Sequence, residues 1–227
     1  MSQTKKPAFA LLVALGVIVA LLAYFLLTPS QPDFNALKKQ VSPSVSLYPG
    51  PKSLAGEYLL LDDQRNTLKL SDLVKDRWTM LYFGYASCPD VCPVDLAMLN
   101  QTLALMQQPE KLQVLFISVD PKRDIGNLSS FAKRFNKDFI GLSATPENLQ
   151  KITEKLGIYH EVSTIQAKAN QDHSKMDHSK MGGAYLVNHT ASYLLLNSEA
   201  ELIGLLTNPH RPEKMAPALD LIIKTLK

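Results

Sequence analysis

The chain has two cysteines, Cys88 and Cys92, which are its only thiols. They follow the apolar run 78–85, which has the length and composition of a buried strand, and they precede leucines at helical spacing. Pro93 suits the first turn of a helix, where a missing N–H costs nothing. A dithiol loop between a strand and a helix is the thioredoxin-type arrangement. We expect the helix dipole to favour the thiolate, which attacks disulfides and binds metal ions.

A lone pair of cysteines in an exported protein usually forms a structural disulfide. A bridge between Cys88 and Cys92 would close a loop of only five residues, so it would remove little chain entropy and stabilise the fold little. The flanking prolines and the helix N-terminus instead predict a rigid, exposed turn with functional thiols. Three residues between the cysteines leave the sulfurs able to flank a soft metal ion or to bond each other.

A closed Cu(I) site needs a third ligand besides two thiolates, and a histidine is a suitable one. His189 lies between two strand-like runs, where a sheet could carry it towards the cysteine turn. A histidine at a strand end is more often structural than a ligand, so the residues themselves leave its role open. The five histidines of the chain are His160, His173, His178, His189 and His210.

A tandem His-Ser-Lys-Met repeat lies in residues 167–183, which have no apolar periodicity and are typical of a mobile loop. Imidazole and thioether are both copper ligands, and a thioether favours Cu(I). The alternative is a solvated insertion whose methionines are incidental. Because the tetrad occurs twice, we expect a secondary site for copper capture at His173, Met176, His178 and Met181.

The N-terminus carries an uncharged apolar run at residues 8–27. At about 1.5 Å per residue, a helix of this length just spans a hydrocarbon core of about 30 Å. By the positive-inside rule we expect Lys5 and Lys6 to keep residues 1–7 in the cytoplasm, which places the chain after the apolar run in the periplasm. A cleaved signal peptide is the alternative, but the run is long for one and no small-residue cleavage site clearly follows it. We expect a single-pass protein of the inner (cytoplasmic) membrane.

Residues 28–50 are rich in proline and predict a tether, whereas residues 51–227 have the size of one domain. Removing Lys5 and Lys6 from the formal net charge of +3 leaves +1 for the exported part. No basic stripe is present, so nucleic-acid binding is not expected.

Strand-like and helix-like segments alternate along the domain, which predicts an α/β fold with a central sheet flanked by helices. Thr145 and Gly157 mark the beginning and the end of one predicted helix. The other predicted segments are strands or hairpin arms at 58–61, 112–119, 184–188, 192–196 and 201–205, an amphipathic stretch at 127–135 and a closing helix at 212–226.

Three segments resemble the signatures of the Sco/SenC family, in the same order along the chain: Ser87-Cys88-Pro89-Asp90-Val91-Cys92-Pro93, Val119-Asp120-Pro121-Lys122-Arg123-Asp124 and Tyr185-Leu186-Val187-Asn188-His189. The resemblance covers about residues 50–226. It implies a thioredoxin-like domain with Cys88, Cys92 and His189 as copper ligands. It also places Asp120 near the site as an outer residue, although an Asx-Pro turn that ends a strand explains Asp120 equally well. The repeat is not part of the family's general pattern.

The family comprises membrane-anchored copper proteins that assist assembly of cytochrome c oxidase. The resemblance therefore implies a metallochaperone that delivers Cu(I), with Cu(II) left open, to the dinuclear copper centre in the copper-bearing subunit of that oxidase. A periplasmic copper donor and a thiol reductant protein are the further expected partners.

An enzyme-like alternative uses the same residues. Cys88 and Cys92 would form a redox-active pair that reduces the cysteines of the target before copper arrives. Thioredoxins, by resemblance, place a proline opposite such a pair, and this chain has none between Pro146 and Pro209. That absence favours metal binding. A peroxide-reducing thiol enzyme ranks last, because no separate peroxidatic cysteine motif is present.

Overall fold

The computed structural model describes residues 13–23, 33–54, 56–158, 160–164, 185–189 and 192–226, and in 160–164 and 185–189 it describes the backbone. Strands and helices alternate through most of these residues, as predicted. The strands are β1 (Ser46–Ser53), β2 (Leu59–Leu61), β3 (Thr67–Lys69), β4 (Trp78–Gly84), β5 (Leu112–Ser118), β6 (Ile140–Leu142), β7 (His160–Thr164), β8 (Tyr185–His189), β9 (Ser192–Leu196) and β10 (Glu201–Thr207).

Helices connect most of these strands. They are α1 (described at residues 13–23), α2 (Phe34–Val41), α3 (Leu70–Val74), α4 (Val91–Leu105), α5 (Pro121–Asp124), α6 (Leu128–Lys133), α7 (Pro146–Leu156) and α8 (Pro212–Thr225). The ends of α7 confirm the sequence prediction. Thr145 accepts a hydrogen bond from the N–H of Asn148 at 3.3 Å, and Gly157 ends the helix in the left-handed region at φ 72°.

The central sheet has six strands in the order β1–β10–β9–β4–β5–β6. β4 pairs in parallel with β5 and antiparallel with β9, so the sheet is mixed. β2 and β3 form a separate hairpin, as the apolar run at 58–61 suggests. Every residue of β4 and β5 is buried, which explains why both strands appear in the sequence as nearly continuous apolar runs.

The boundary of the domain differs from the prediction. Residues 34–50 were expected to belong to a tether, but they form α2 and the beginning of β1, which pairs with β10 at the edge of the sheet. Leu37 and Val41 of α2 are buried, so this segment contributes to the core. The chain divides into the units Met1–Phe34 and Asn35–Lys227, which places the folded domain's start well before residue 51.

The predicted anchor at 8–27 falls only partly within the described residues. Residues 13–23 are helical, and their large apolar side chains are exposed. Among the residues that the structure describes, no helix is both long enough and apolar enough to cross a membrane. The repeat-bearing segment at 167–183 lies outside the described residues.

The ribbon formed by β7 and β8 is a two-stranded sheet of its own. The sequence predicted β8 but not its partner β7. In the antiparallel register, His160 lies opposite His189 and Thr164 lies opposite Tyr185. The ribbon therefore fixes the backbone position of His189 relative to a second element.

Candidate metal centre

Two loops that carry motifs lie at one end of the central sheet, and the strand β9 that follows the third motif begins at this same end. The cysteine loop follows Gly84 at the end of β4, and Ser118 lies opposite Gly84 at the end of the parallel strand β5. Since β9 runs antiparallel to β4, with Tyr193 opposite Tyr82, β9 begins at this same end. His189 is three residues before β9 in the sequence. The topology thus brings the cysteine loop and the 120–124 turn to the end of the sheet where β9 begins.

The two thiols are more buried than the sequence predicted. Cys88 is 8% exposed and Cys92 is fully buried, although the loop around them lies at the surface. Val91 and Val94, in the first turn of α4, are 42% and 48% exposed. The prediction of an exposed turn holds for the loop but is wrong for the sulfurs, because Cys92 packs inward against β4. The structure describes both cysteines of the chain, and they are not bonded to each other.

Cys88 is the activated thiol. Burial disfavours its charged form, but hydrogen bonds from the backbone N–H groups of Cys92 and Asp90 outweigh burial, so the pKa of Cys88 is lowered from its ordinary value. The bond from the Cys92 N–H to Cys88 Sγ is 3.4 Å long. Cys88 thus accepts a bond from the first turn of α4, where the partial positive charge of a helix is concentrated.

Cys92 behaves in the opposite way. Burial raises the pKa of Cys92 to about 12, although a hydrogen bond from the Tyr85 backbone opposes this. Gly84 is the reason that the sulfur fits, because a Cβ added at Gly84 would lie 2.9 Å from Cys92 Sγ and 3.1 Å from the Phe116 ring. The absence of a side chain at Gly84 creates the space that Cys92 occupies.

A buried polar cluster lies beneath Cys92. The Tyr82 hydroxyl donates to Asp95 Oδ2 at 2.9 Å, and the Tyr193 hydroxyl donates to the Asp95 carbonyl at 2.8 Å. His210 stacks on Tyr193 with ring centroids 3.8 Å apart, and its Nε2 is 3.9 Å from Asp95 Oδ1. Burial raises the pKa of Asp95, with the Tyr82 hydrogen bond opposing the shift. Tyr82 also contacts Cys92, so this cluster is coupled to the buried thiol.

The 120–124 turn supports the cysteine loop through Asp124. Asp124 Oδ2 accepts bonds from the Ala86 N–H and the Ser118 hydroxyl, both at 2.6 Å, so it ties the cysteine loop to β5. Asp120 is buried and caps α5 through the N–H of Arg123, while its carboxylate also binds the Arg123 guanidinium. This geometry agrees with the Asx-Pro turn explanation of Asp120.

Arg123 links Asp120 to the cysteine loop indirectly. Its guanidinium carbon lies 5.7 Å from the centroid of the Tyr85 ring, a cation–π distance, while Asp120 holds the same side chain. Arg123 thus lies between Asp120 and the cysteine loop, whereas Asp124 contacts that loop directly. Both explanations of Asp120 from the sequence remain compatible with its position.

The donors fit a soft metal ion. Two sulfurs at one turn, one of them with a lowered pKa, suit a soft ion such as Cu(I) better than a hard ion such as magnesium. Within the described side chains, no three histidine, cysteine or carboxylate groups are arranged to hold a metal ion. His173, Met176, His178 and Met181 lie outside the described residues, and His189 is described by its backbone.

Sequence reasoning did not assign roles to four residues that shape the site: Gly84, Tyr82, Asp95 and Asp124. Asp124 stands within the second motif, and Asp95 follows Cys92 by three residues, so both lie close in sequence to residues that the motifs singled out. Their roles depend on packing between separate elements, which no local pattern reveals.

The profile of the SCO1/SenC family matches residues 48–224. An SCO2-like protein of Rickettsia conorii is 28% identical over 206 residues, which cover 88% of this chain and 93% of that protein. Apo Sco1 of Thermus thermophilus has a TM-score of 0.62 and 26% identity, covering 81% of this chain and 96% of its own. Yeast Sco1 with copper bound has a TM-score of 0.62 and 25% identity, covering 76% and 90%. Since the profile spans most of the residues, with both cysteines inside it, this chain belongs to the SCO1/SenC family.

Proposed function

We propose that this chain is a copper chaperone that binds Cu(I) through Cys88, Cys92 and His189 and delivers it to the dinuclear copper centre of cytochrome c oxidase. The observation that carries the proposal is the pair of unbridged thiols after β4, at the end of the sheet where β9 begins, and β9 begins three residues after His189. Copper bound to yeast Sco1, a structure of similar fold, supports the choice of metal.

The two cysteines contribute in different ways to holding the ion. Cys88, with its lowered pKa, offers a thiolate near neutral pH, and the first turn of α4 stabilises it. Cys92 must lose its proton when the ion binds, because the thiolate is the metal ligand. The surface position of the loop, shown by the exposure of Val91 and Val94, allows an incoming protein to approach for ligand exchange.

The His-Ser-Lys-Met repeat acts in this proposal as a weak capture site that passes copper to the cysteines. The repeat lies between Thr164 and Tyr185, which are paired at one end of the ribbon, while His189 is at the other end. Deleting residues 172–181 should slow copper loading at limiting copper and leave the tight site intact. A variant with His173 and His178 changed to serine, and Met176 and Met181 to leucine, keeps the length of the segment as a control. Unchanged loading in both variants would contradict the capture role.

A second candidate function is thiol-disulfide exchange with the cysteines of the target. The observation that favours it is the inequality of the thiols: the pKa of Cys88 is lowered, whereas burial raises that of Cys92 to about 12. An attacking thiolate beside a buried resolving thiol suits exchange. The two functions share both sulfurs but differ in whether His189 is needed.

Residues 8–27 serve in the proposal as a single-pass anchor in the cytoplasmic membrane, with 1–7 in the cytoplasm and the domain in the periplasm. The uncharged sequence and the exposed apolar side chains of residues 13–23 support this. The copper-bearing oxidase subunit, a periplasmic copper donor and a thiol reductant protein are the proposed partners. Fractionation of cells followed by protease treatment of spheroplasts tests the orientation. A domain that is released without the membrane, or that resists external protease, would contradict it.

The decisive experiment is a Cu(I) titration of the reduced full chain in detergent against a competing chelator. Cys88→Ser and His189→Ala should each lose the tight equivalent, because each removes a proposed ligand. Asn188→Ala changes the neighbour of His189 and should bind as the wild type does. His189→Ala should retain dithiol exchange with a small disulfide, which separates ligand loss from unfolding.

Tight binding that survives in both ligand variants would contradict the proposed site. If the wild type binds no tight Cu(I) but exchanges disulfides readily, the oxidoreductase function replaces the chaperone function.

A further inference from the structure

A cavity of about 770 Å³ lies at the end of the central sheet that carries the cysteine loop. Its walls are the end of α2 with the turn that follows it, and the loop that joins β10 to α8. Ser192, the first residue of β9, pairs with Thr207, the last residue of β10. Ser46, the first residue of β1, pairs with Leu205 near that same end. Because β9 begins where β4 ends, both walls lie at the cysteine end of the sheet.

The cavity is also close to the cysteine loop across the sheet. One strand, β9, separates β10 from β4. Neighbouring strands lie about 4.8 Å apart, so the end of β10 lies about 10 Å from the end of β4. Pro209 and Arg211 line the cavity, whereas His210 between them is buried. The Nε2 of His210 is 3.9 Å from Asp95 Oδ1, so this loop contacts the helix that carries Cys92.

The lining of the cavity is positively charged. Arg211 and Lys214 line it, and within the part of the chain that the structure describes neither side chain forms an ion pair. No aspartate or glutamate is among the described residues that line the cavity. Glu213 is exposed in the same turn of α8, but it is not part of the lining. An anionic occupant would therefore meet two cations and no lining carboxylate.

A second cavity, of about 620 Å³, has a different charge pattern. Arg77 lines it together with Glu110 and Asp138, so a cation and carboxylates occur together there. Arg77 directly precedes β4 and Lys111 directly precedes β5, so both lie at the end of the sheet opposite to the cysteine loop. Both residues are exposed. They supply a matched pair of control cations, because they have the same residue types as the pair in the first cavity.

The first cavity combines its cations with apolar and polar groups. Val41, Met215 and Ala218 are buried and supply apolar contacts, while Gln40 and Thr207 supply an amide and a hydroxyl group. Volumes of about 300–1,000 Å³ are typical of binding sites for small ligands, so the cavity has room for a few side chains of another protein. A free inorganic anion would use the cations and leave the apolar surface uncovered. The lining is therefore better suited to a segment that carries both carboxylates and apolar side chains.

We propose that this cavity is the docking site for an acidic segment of the protein that receives copper from Cys88 and Cys92. This inference rests on the proposed function, because it assigns a second contact to the same transfer. Carboxylates of the segment bind Arg211 and Lys214, and its apolar side chains cover the apolar lining. Charges at the rim of an interface increase the association rate and orient the partner. Docking here holds the partner at the end of the sheet where the cysteines release the ion.

The first experiment measures binding of an acidic probe to the metal-free, reduced full chain in detergent. The probe is the peptide acetyl-Leu-Glu-Glu-Leu-amide, and NMR follows the amide signals of residues 40–44 and 207–218. These signals should shift with the acidic peptide and not with its glutamine counterpart, acetyl-Leu-Gln-Gln-Leu-amide. Adding phosphatidylglycerol to the micelles tests a lipid occupant. Shifts caused by this lipid and not by the acidic peptide would overturn the inference.

A pair of double variants locates the binding. Arg211→Gln with Lys214→Gln should bind the acidic peptide about five- to tenfold more weakly, since each exposed ion pair is worth up to about fivefold in affinity. Arg77→Gln with Lys111→Gln removes the same charge at the opposite end of the sheet and should bind as the wild type does. Equal affinities in the two double variants would overturn the inference.

The second experiment measures Cu(I) transfer from the loaded full chain to the copper-free oxidase subunit by stopped flow. Arg211→Gln with Lys214→Gln should slow this transfer about fivefold or more at low salt. Raising the salt concentration should bring the wild-type rate down to that of the variant, because salt screens exposed charges. Transfer to a small uncharged chelator should be equal in both proteins, because the cysteines are unchanged.

The outcomes separate this inference from the proposed function. Equal rates of transfer to the subunit in the wild type and in the Arg211→Gln, Lys214→Gln variant would overturn the docking site and leave the proposed function intact. If the wild type transfers no Cu(I) to the subunit, the proposed function fails, and the docking site fails with it whatever the peptide binds.

Discussion

The sulfur of Cys88 accepts a hydrogen bond from the backbone N–H of Cys92 at 3.4 Å, so one cysteine is bonded to the first turn of the helix that carries the other. The two thiols are consequently unequal, although they are only four residues apart. Cys88 gains a donor at the positive end of α4, whereas Cys92 lies in the apolar interior against Gly84. In the proposed function, copper loading therefore begins at the Cys88 thiolate, and Cys92 gives up its proton last.

The inequality predicts different alkylation of the two thiols. In Cys92→Ser, we expect iodoacetamide to modify Cys88 with an apparent pKa below that of a free cysteine. In Cys88→Ser, Cys92 should react more than about a hundredfold more slowly at neutral pH, because burial raises its pKa to about 12. Mass spectrometry of samples quenched across a pH series measures both rates. Equal rates with a shared pKa would contradict the assignment.

Gly84→Ala should disturb the cysteine site, because Gly84 lies directly against the sulfur of Cys92. The added methyl would meet Cys92 Sγ at 2.9 Å, in a region with no space for it. Overpacking of this kind costs about 1–3 kcal/mol of unfolding free energy. Gly50→Ala is the control, because a Cβ there has no atom within 4 Å. The free energy of unfolding, measured in urea, and the affinity for Cu(I) should both fall for Gly84→Ala and stay unchanged for Gly50→Ala. Equal values for the two variants would show that the close approach is not needed.

The tyrosines around Asp95 form a matched pair for mutation. Tyr82→Phe and Tyr193→Phe each remove one donor to Asp95, so each should lose about 1–3 kcal/mol of unfolding free energy. Only Tyr82 also forms a hydrogen bond that lowers the pKa of Cys92. Tyr82→Phe should therefore weaken Cu(I) binding more than Tyr193→Phe does, as measured by chelator competition. A larger loss in Tyr193→Phe would contradict the coupling of Tyr82 to the thiol.

Asp124 predicts a specific pH dependence of stability. Burial raises its pKa, and hydrogen bonds from Ser118 and Ala86 oppose the shift only partly. Because the folded state holds the proton more tightly than the unfolded chain, this group's contribution is full below the ordinary carboxyl pKa of about 3.9 and is lost as the pH rises through the raised value. The wild type should lose stability relative to Asp124→Asn over that interval.

Urea unfolding from pH 4 upward measures this difference. The control is Asp138→Asn, since Asp138 is an exposed carboxylate paired with Lys137 at 3.4 Å. Its stability curve should run parallel to that of the wild type. If the stability curve of Asp124→Asn also ran parallel to that of the wild type, the pKa of Asp124 would not be raised by burial.

The strands that the sequence predicted include β4, β5 and β9, which are buried along their whole length. All seven residues of β4 are buried, so its pattern is unambiguous, and Thr145 and Gly157 supply local signals for α7. β1 gives no such signal, because Leu47 is its one buried residue and prolines interrupt it. Its place in the sheet comes from pairing with β10. This tertiary interaction is also the reason that the domain starts earlier than the sequence predicted.

The residues of the candidate site likewise fall into those that the local sequence predicts and those that depend on tertiary packing. Residue type and spacing identified Cys88 and Cys92, since chemistry of thiols depends on the residues themselves. The burial of the Cys92 sulfur depends on Gly84, whose role appears only when α4 packs against β4. Asp124 likewise acts across 38 positions of sequence to reach Ala86, a separation at which no motif predicts contact.

The pairing of β7 with β8 also makes the position of His189 opposite His160 independent of the number of residues between Thr164 and Tyr185. That segment leaves the ribbon at Thr164 and returns at Tyr185, while the pairing fixes His189 at the opposite end. Related proteins can therefore differ in the length and sequence of the segment between Thr164 and Tyr185 and still keep His189 at the same position in the strand register.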